Sequence, residues 1–188
     1  MKHHLVRTIT WTLATSASLV VAASASAQST GTAPVRPIEF GIDAGALFGL
    51  DSPSSTTITI PAQAIRVGFF MNDRFSLEPA FGLTSSSGGG TNSTSYRVEL
   101  GGLWHFAESQ QGLYVRPFAG FRGNHFSANH VSNSATQALL GAGGGWKYPI
   151  NHRVSARFEA NYEHDFDSGN NGSSNGIGLR AGLSFFTR

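Results

Sequence analysis

The sequence predicts an all-β protein, an eight-stranded antiparallel up-and-down transmembrane β-barrel. Three observations carry this prediction. Eight segments alternate between apolar and polar residues, turns of short and long length alternate between them, and the charges of each segment share its polar face. The 23 glycines and the 11% aromatic content also suit tightly turned strands and argue against a helical bundle.

The start of the chain is typical of a cleavable signal peptide. Lys2 and Arg7 give a positive start, residues 11–23 are apolar, and Ala25-Ser26-Ala27 is a small-residue cleavage motif. The apolar stretch is shorter than the roughly 20 residues that a membrane anchor needs. The predicted organisation is a signal peptide over residues 1–27, a polar periplasmic lead over 28–37 and a barrel domain over 38–188.

The charge balance of the mature chain excludes one class of partner. Cleavage removes two of the 13 basic residues and none of the 11 acidic ones, which leaves 11 charges of each sign. No basic run remains, so nucleic acid is excluded as a partner. The chain has no cysteine, which excludes disulfides and thiolate metal sites. We expect neither a cofactor nor a metal.

Each strand is predicted from its own alternation. In the first, Ile38–Phe48, the apolar residues occupy the even positions and the odd positions are mostly charged or glycine. The second, Thr57–Phe70, changes parity partway, which predicts a bulge near Pro61, where a missing N–H is tolerated. The other six are predicted over Phe75–Leu83, Tyr96–Phe106, Leu113–Arg122, Leu140–Tyr148, Val154–Glu163 and Ile177–Phe185.

The connections alternate in length. The tight ones are 71–74, 107–111 and 149–153, and the longer ones, rich in Ser, Asn, Gly or Asp, are 51–56, 84–95, 124–136 and 165–175. Outer-membrane barrels have short periplasmic turns and longer external loops. The pattern therefore predicts that both chain ends lie in the periplasm.

The charged strand residues lie opposite the large apolar ones. A cation on the lipid face at the bilayer midplane costs about 2–4 kcal/mol, so the charged face is predicted to line the lumen. An eight-stranded barrel is narrow enough for side chains to fill, and six acids with seven bases, mostly arginine, predict an ion-paired interior rather than a wide pore. These residues are Glu39, Asp43, Arg66, Glu78, Arg97, Glu99, Arg116, Arg122, Lys147, Arg157, Glu159, Glu163 and Arg180.

Two further sets follow from the same register. Inward glycines are predicted to make room for the long arginine side chains: Gly141, Gly143, Gly145, Gly178 and Gly182. Outward aromatic residues beside the short turns are predicted to form a lipid-interface girdle: Trp104, Phe106, Trp146, Tyr148 and Phe185.

The glycine-rich stretch Gly141–Ile150, followed by the Arg/Glu-bearing stretch Val154–His164, resembles the outer-membrane protein β-barrel family, the small eight-stranded barrels of the outer-membrane protein A and X type. The resemblance covers Ile38–Phe186. It implies an outer-membrane location in a Gram-negative-type cell envelope, with membrane lipids and the barrel-assembly machinery as partners. It also implies a structural, adhesive or surface-interaction role through the loops. We expect no enzymatic activity. A small porin and a soluble secreted sandwich remain the alternatives.

One segment suggests chemistry. His130-x-Ser132-Asn133 is similar to the motif of lipid A 3-O-deacylases, in which a histidine serves as base for a serine nucleophile. That family also needs a glutamate shortly downstream, and no carboxylate occurs from Ser134 to Arg157. His130 and Ser132 are therefore kept as the residues of an alternative enzymatic function.

A second segment carries hard oxygen ligands. Glu163-His164-Asp165-x-Asp167 has the side chains that a divalent cation would take. The same residues mark the solvated start of a predicted loop, and we favour that interpretation. No metal site is predicted.

Overall fold

The computed structural model describes residues 36–50, 56–88, 91–107, 111–128, 131–168 and 172–187, with backbone alone for 56–64 and 86–88. The predicted signal peptide and nearly all of the lead lie outside these ranges. Eight antiparallel strands pair in chain order, and β1 closes against β8, so the predicted barrel is confirmed. The strands are β1 (Ile38–Gly49), β2 (Thr56–Phe70), β3 (Phe75–Gly88), β4 (Thr91–His105), β5 (Gly112–Ala128), β6 (Val131–Pro149), β7 (Val154–Asp165) and β8 (Ser174–Phe186). Within the described ranges, no helix is long and apolar enough to cross a membrane.

The bulge predicted in the second strand is confirmed. Asp43 pairs with Ala64, and Gly45 pairs with Thr59, so two steps along β1 correspond to five along β2. The extra residues of β2 include Pro61. A proline fits a bulge because its missing N–H has no ladder partner to serve there.

The short turns share one end of the barrel with the start of β1 and the end of β8. Asn72 and Asn151 build two of these turns alike: each side-chain oxygen accepts hydrogen bonds from two following backbone N–H groups, at 2.8 and 2.7 Å for Asn72 and at 2.8 and 2.9 Å for Asn151. Gly112 is the first residue of β5, and its φ is 96°. This is a left-handed conformation, which glycine adopts without strain. Ile38 and Thr187 hydrogen-bond at this end, which we call the turn end. The opposite end is the hairpin end.

The prediction of a long loop over residues 84–95 is wrong. β3 and β4 stay paired as far as Gly88 and Thr91. The Ser85 and Thr94 hydroxyls lie 3.2 Å apart across this ladder. The segment consists of Ser, Thr, Asn and Gly, so it has no alternation of hydropathy from which a strand could be predicted.

The loop predicted over 124–136 is wrong for the same reason. β5 and β6 stay paired as far as Ala128 and Val131, and the Tyr96 hydroxyl hydrogen-bonds that of Thr136 on the outer face. β5 and β6 have 17 and 19 residues, against 12 and 13 for β7 and β8. Four strands therefore continue past the others. We call residues 84–88, 91–95, 124–128 and 131–138 the polar hairpin extension.

Candidate functional site

The thirteen charged residues predicted to line the lumen are all on the inner face of the barrel. Eleven are buried, Arg122 and Arg180 are half-buried, and each of the thirteen takes part in at least one ion pair. No Asp, Glu, Lys or Arg of the described strands lies on the outer face. Strand alternation alone accounts for this separation, because successive side chains point to opposite faces.

Arg66 organises the cluster nearest the turn end. Its Nε donates to Asp43 Oδ2 at 2.8 Å, and its Nη1 contacts both Glu39 and Glu78, the latter at 3.3 Å. The Glu39 carboxylate also binds Lys147 Nζ at 2.5 Å. The planar guanidinium can serve three carboxylates at once, which the point charge of a lysine does less well.

Glu159 organises the middle of the lumen. Arg116 Nη2 lies 2.9 Å from its carboxylate and Arg157 Nη2 lies 2.6 Å from it. The Tyr114 hydroxyl accepts from Arg157 Nε at 2.6 Å and donates to Glu159 at 3.0 Å. Arg157 also binds Glu78, which joins this cluster to the one around Arg66.

The Glu99 carboxylate forms ion pairs with three arginines. Arg180 Nη2 is 2.8 Å from its Oε1, Arg116 Nη1 is 3.2 Å from its Oε2, and Arg97 also binds it. The Arg116 guanidinium lies 4.4 Å from the centroid of the Phe118 ring. This ring gives the guanidinium a favourable face where no carboxylate is present.

The cluster nearest the hairpin end contains Asp165, the first residue of the loop predicted over 165–175. Arg97 binds Glu163 at 2.6 Å, and Arg122 binds Glu163 and, at 2.7 Å, Asp165. Asp165 is buried as the last residue of β7. Asp165 lies two residues after Glu163, so in a continued strand both side chains point inward. This spacing is the signal from which its place in the lumen could have been predicted. With Asp165 included, the ion-paired lumen has seven acids and seven bases.

These clusters form one connected series of ion pairs along the barrel. Burial of an ion is costly unless a partner compensates it, and here every carboxylate in the series has an arginine or lysine partner. Ordered from the turn end to the hairpin end, the series is Lys147, Glu39, Arg66, Glu78, Arg157, Glu159, Arg116, Glu99, Arg97, Glu163, Arg122 and Asp165. The lumen is therefore occupied by paired side chains along its length.

A buried layer without ion-paired residues closes the series at the turn end. The Phe70 ring centroid lies 5.6 Å from that of His105 and 6.4 Å from that of Phe186, and His105 lies 6.0 Å from Tyr114. Leu103, two residues before His105 in β4, is fully buried. Phe70 and Phe186 each follow a phenylalanine that points outward, and strand alternation therefore turns their own side chains inward.

The role predicted for the inward glycines needs correction. The atoms nearest to a Cβ at the five predicted positions belong to the side chains of Phe118, Asn161, Glu159, Tyr114 or Asp43, or to a neighbouring backbone, rather than to an arginine. The glycines that make room for arginines are Gly41 and Gly101, which lie against Arg66 and Arg116. Gly41 pairs directly with Arg66, and Gly101 pairs with Phe118, two residues from Arg116 in the same strand. Only the register of the strands reveals these relations.

The five predicted interface aromatics lie on the outer face, with exposed fractions between 43% and 62%. They are Trp104, Trp146, Tyr148 and Phe185, near the turn end of their strands, and Phe106, which directly follows β4. Their contact with lipid headgroups stays a prediction.

The structure describes one of the two chemical motifs in full and the other only in part. Ser132 is exposed in the hairpin extension, opposite Ser127, and His130 lies outside the described residues. Glu163 and Asp165 point inward to arginines, whereas His164 Nδ1 lies 2.9 Å from Asn175 Oδ1. Among the residues that the structure describes, no group of three or more His, Cys, Asp or Glu side chains could hold a metal ion.

Comparison with known proteins agrees with this architecture. The family model of the outer membrane protein beta-barrel domain matches residues 13–185. The chain belongs to this family. The assignment supports an outer-membrane location, in which the wall of the barrel contacts membrane lipids.

Solved structures show the same fold at low identity. Neisserial surface protein A (NspA) is 18% identical with a TM-score of 0.57, and 79% of this chain and 96% of that chain are covered. Ail, the attachment invasion locus protein of Yersinia pestis, is 12% identical with a TM-score of 0.54, and the coverage is 81% and 99%. Among the curated proteins, none matches this chain. At these identities the likeness extends to the fold and no further.

Proposed function

We propose that this chain is a non-enzymatic outer-membrane protein, exported by its predicted signal peptide and inserted by the barrel-assembly machinery. In this proposal the filled barrel is a rigid anchor, and the polar hairpin extension makes structural or adhesive contacts at the cell surface. The observation that carries the proposal is the connected series of ion pairs, because it leaves the outer extension as the part free to meet a partner.

The chemistry of the polar hairpin extension favours an uncharged partner. No Asp, Glu, Lys or Arg occurs in residues 84–95 or 124–138. The extension offers hydroxyl, amide and imidazole groups, and it exposes Phe126 by 45%. One structure of Ail is a complex with the heparin analogue sucrose octasulfate. The absence of cationic side chains here favours a neutral polar surface instead, held by hydrogen bonds and apolar contact.

Planar-bilayer recording tests the filled lumen. The purified barrel is expected to give no stable conductance steps, because paired side chains occupy the axis from Lys147 to Asp165. A variant with smaller luminal side chains, Arg116→Ala with Glu159→Ala, gives a positive control for an opened path. Steady conductance of the unmodified protein would support the porin alternative and overturn the anchor proposal.

An adhesion assay tests the extension. Cells that display the protein are expected to adhere to epithelial monolayers better than cells that display a variant with residues 86–93 and 126–133 each replaced by Asn-Gly. The replacement keeps the pairs Ser85–Thr94 and His125–Ser134 as the new hairpin ends. Heat-modifiable gel mobility must show that both barrels are folded. Equal adhesion of the two strains, or competition by soluble heparin, would contradict the proposed role.

Mass spectrometry of lipid A tests the absence of deacylase activity. Cells that express the protein, or its His130→Ala/Ser132→Ala variant, are expected to contain the same acylation pattern as cells without it. Loss of an acyl chain that depends on both residues would establish the enzymatic alternative.

A further inference from the structure

The outer wall has an apolar depression that crosses β1, β8, β7, β6 and β5. We call it the wall depression. Its floor consists of the smallest side chains, which are Ala44, Ala46, Ala181, Ala160 and Gly144. Its rim consists of large apolar side chains, which are Leu113, Val115, Trp146, Phe158 and Leu179.

Strand register brings the small residues together. Ala44 pairs with Ala181 between β1 and β8, and Ala160 pairs with Gly144 between β7 and β6. Leu179 lies between Ala46 and Ala160 as the neighbour of both. The four strands therefore carry small side chains here, whereas most other outward side chains are large.

The packing of the barrel does not require the smallest of these residues. A Cβ added at Gly144 would meet one atom, the Tyr114 carbonyl oxygen, at an ordinary 3.8 Å. The flanking Gly143 and Gly145 differ, because a Cβ there would collide with inward neighbours. The open space outside Gly144 is consequently a feature of the outer surface alone.

We propose that the wall depression binds one acyl chain of a membrane phospholipid in the leaflet at the turn end. The depression is continuous with the lipid-facing wall of a membrane barrel and is lined there by uncharged apolar side chains. Glu159 and Arg180 also border it, but their charged groups bind Arg116 and Glu99 inside the lumen. The site therefore recognises a hydrocarbon chain and has no charged group for a lipid headgroup.

A flexible chain fits the depression better than a second copy of the barrel. Any concave area left unfilled loses dispersion contacts on its lining, and a methylene chain can follow its contour. A two-fold dimer would place the same patch of both copies face to face, so two concave floors would oppose each other. This inference is independent of the surface role proposed above.

Brominated phospholipid tests the proposal through tryptophan quenching. After the predicted cleavage the chain keeps Trp104 and Trp146, which are 49% and 51% exposed on the outer wall, and Trp146 alone lines the depression. The variants Trp104→Phe and Trp146→Phe isolate each signal. In phosphatidylcholine vesicles with a rising fraction of chain-brominated phosphatidylcholine, Trp146 is expected to reach half-quenching at a lower brominated fraction than Trp104.

A filled depression is the matched control. Gly144→Leu in the Trp104→Phe background is expected to shift the half-quenching of Trp146 to the fraction seen for Trp104. Ala119→Leu, an exposed outward position outside the depression, is expected to leave the shift unchanged. Equal quenching of the two tryptophans would overturn the proposal, as would a shift that survives Gly144→Leu. A shift that vanishes at high protein-to-lipid ratio, together with a crosslinked dimer through β7 and β8, would assign the depression to a second copy and also overturn it.

Discussion

Neutralising Glu99 is expected to destabilise the barrel strongly. Its carboxylate serves Arg97, Arg116 and Arg180, and Glu99→Gln keeps the shape but removes the charge that all three share. Removal of one partner from a buried ion pair costs about 3–5 kcal/mol, because the remaining charge stays desolvated. The equilibrium between folded and unfolded barrel should therefore fall by about a hundred- to several-thousand-fold.

Urea unfolding in phospholipid vesicles measures this loss. The midpoint of Glu99→Gln is expected to fall with an unchanged slope, because the surface exposed on unfolding is the same. Asp73→Asn, which removes a carboxylate from an exposed short turn, is the matched control and should change stability by less than about 0.5 kcal/mol.

A double variant separates charge balance from lost contacts. Arg180 has Glu99 as its ion-pair partner, so Glu99→Gln/Arg180→Gln restores equal numbers of acids and bases. It should cost less than the sum of the single variants, by a coupling energy on the order of 1–3 kcal/mol. A cost below about 1 kcal/mol for Glu99→Gln, or additive single effects, would refute the inference that burial makes this charge essential.

Other outcomes follow from the same contacts. Gly145→Ala should lower the free energy of unfolding by about 1–3 kcal/mol through overpacking, because its Cβ would collide with a neighbouring backbone carbonyl and the Tyr114 hydroxyl. Gly144→Ala should be neutral, and equal urea midpoints for the two variants would contradict this. Tyr114→Phe should cost about 1–3 kcal/mol, since it removes the hydroxyl that joins a buried arginine to a buried glutamate, and a midpoint equal to that of the unmodified protein would count against the bridge. N-terminal sequencing of the outer-membrane form should begin at Gln28, and an intact N-terminus would disprove the cleavable signal peptide.

The sequence by itself determined the strand number and the assignment of residues to the two faces. Both are local properties, since the backbone alternates side chains with a period of two and the lipid excludes charge from one face. Glu159 and Glu163 could be placed inside, and Phe158 and Tyr162 outside, from their spacing alone. The parity change at Pro61 predicted the bulge for the same reason.

Only the tertiary structure decided which charges meet. Arg97 binds Glu163, 66 residues away, because closure of the barrel and the register of its strands bring opposite walls together, and no local periodicity encodes that distance. The hairpin extension was also beyond the sequence, since both faces of Ser, Thr and Asn strands such as the Ser85–Thr94 ladder meet water and leave no hydropathy signal. The wall depression depends on register too: Ala160 and Gly144 are unremarkable in the chain and become a floor because they pair across two strands.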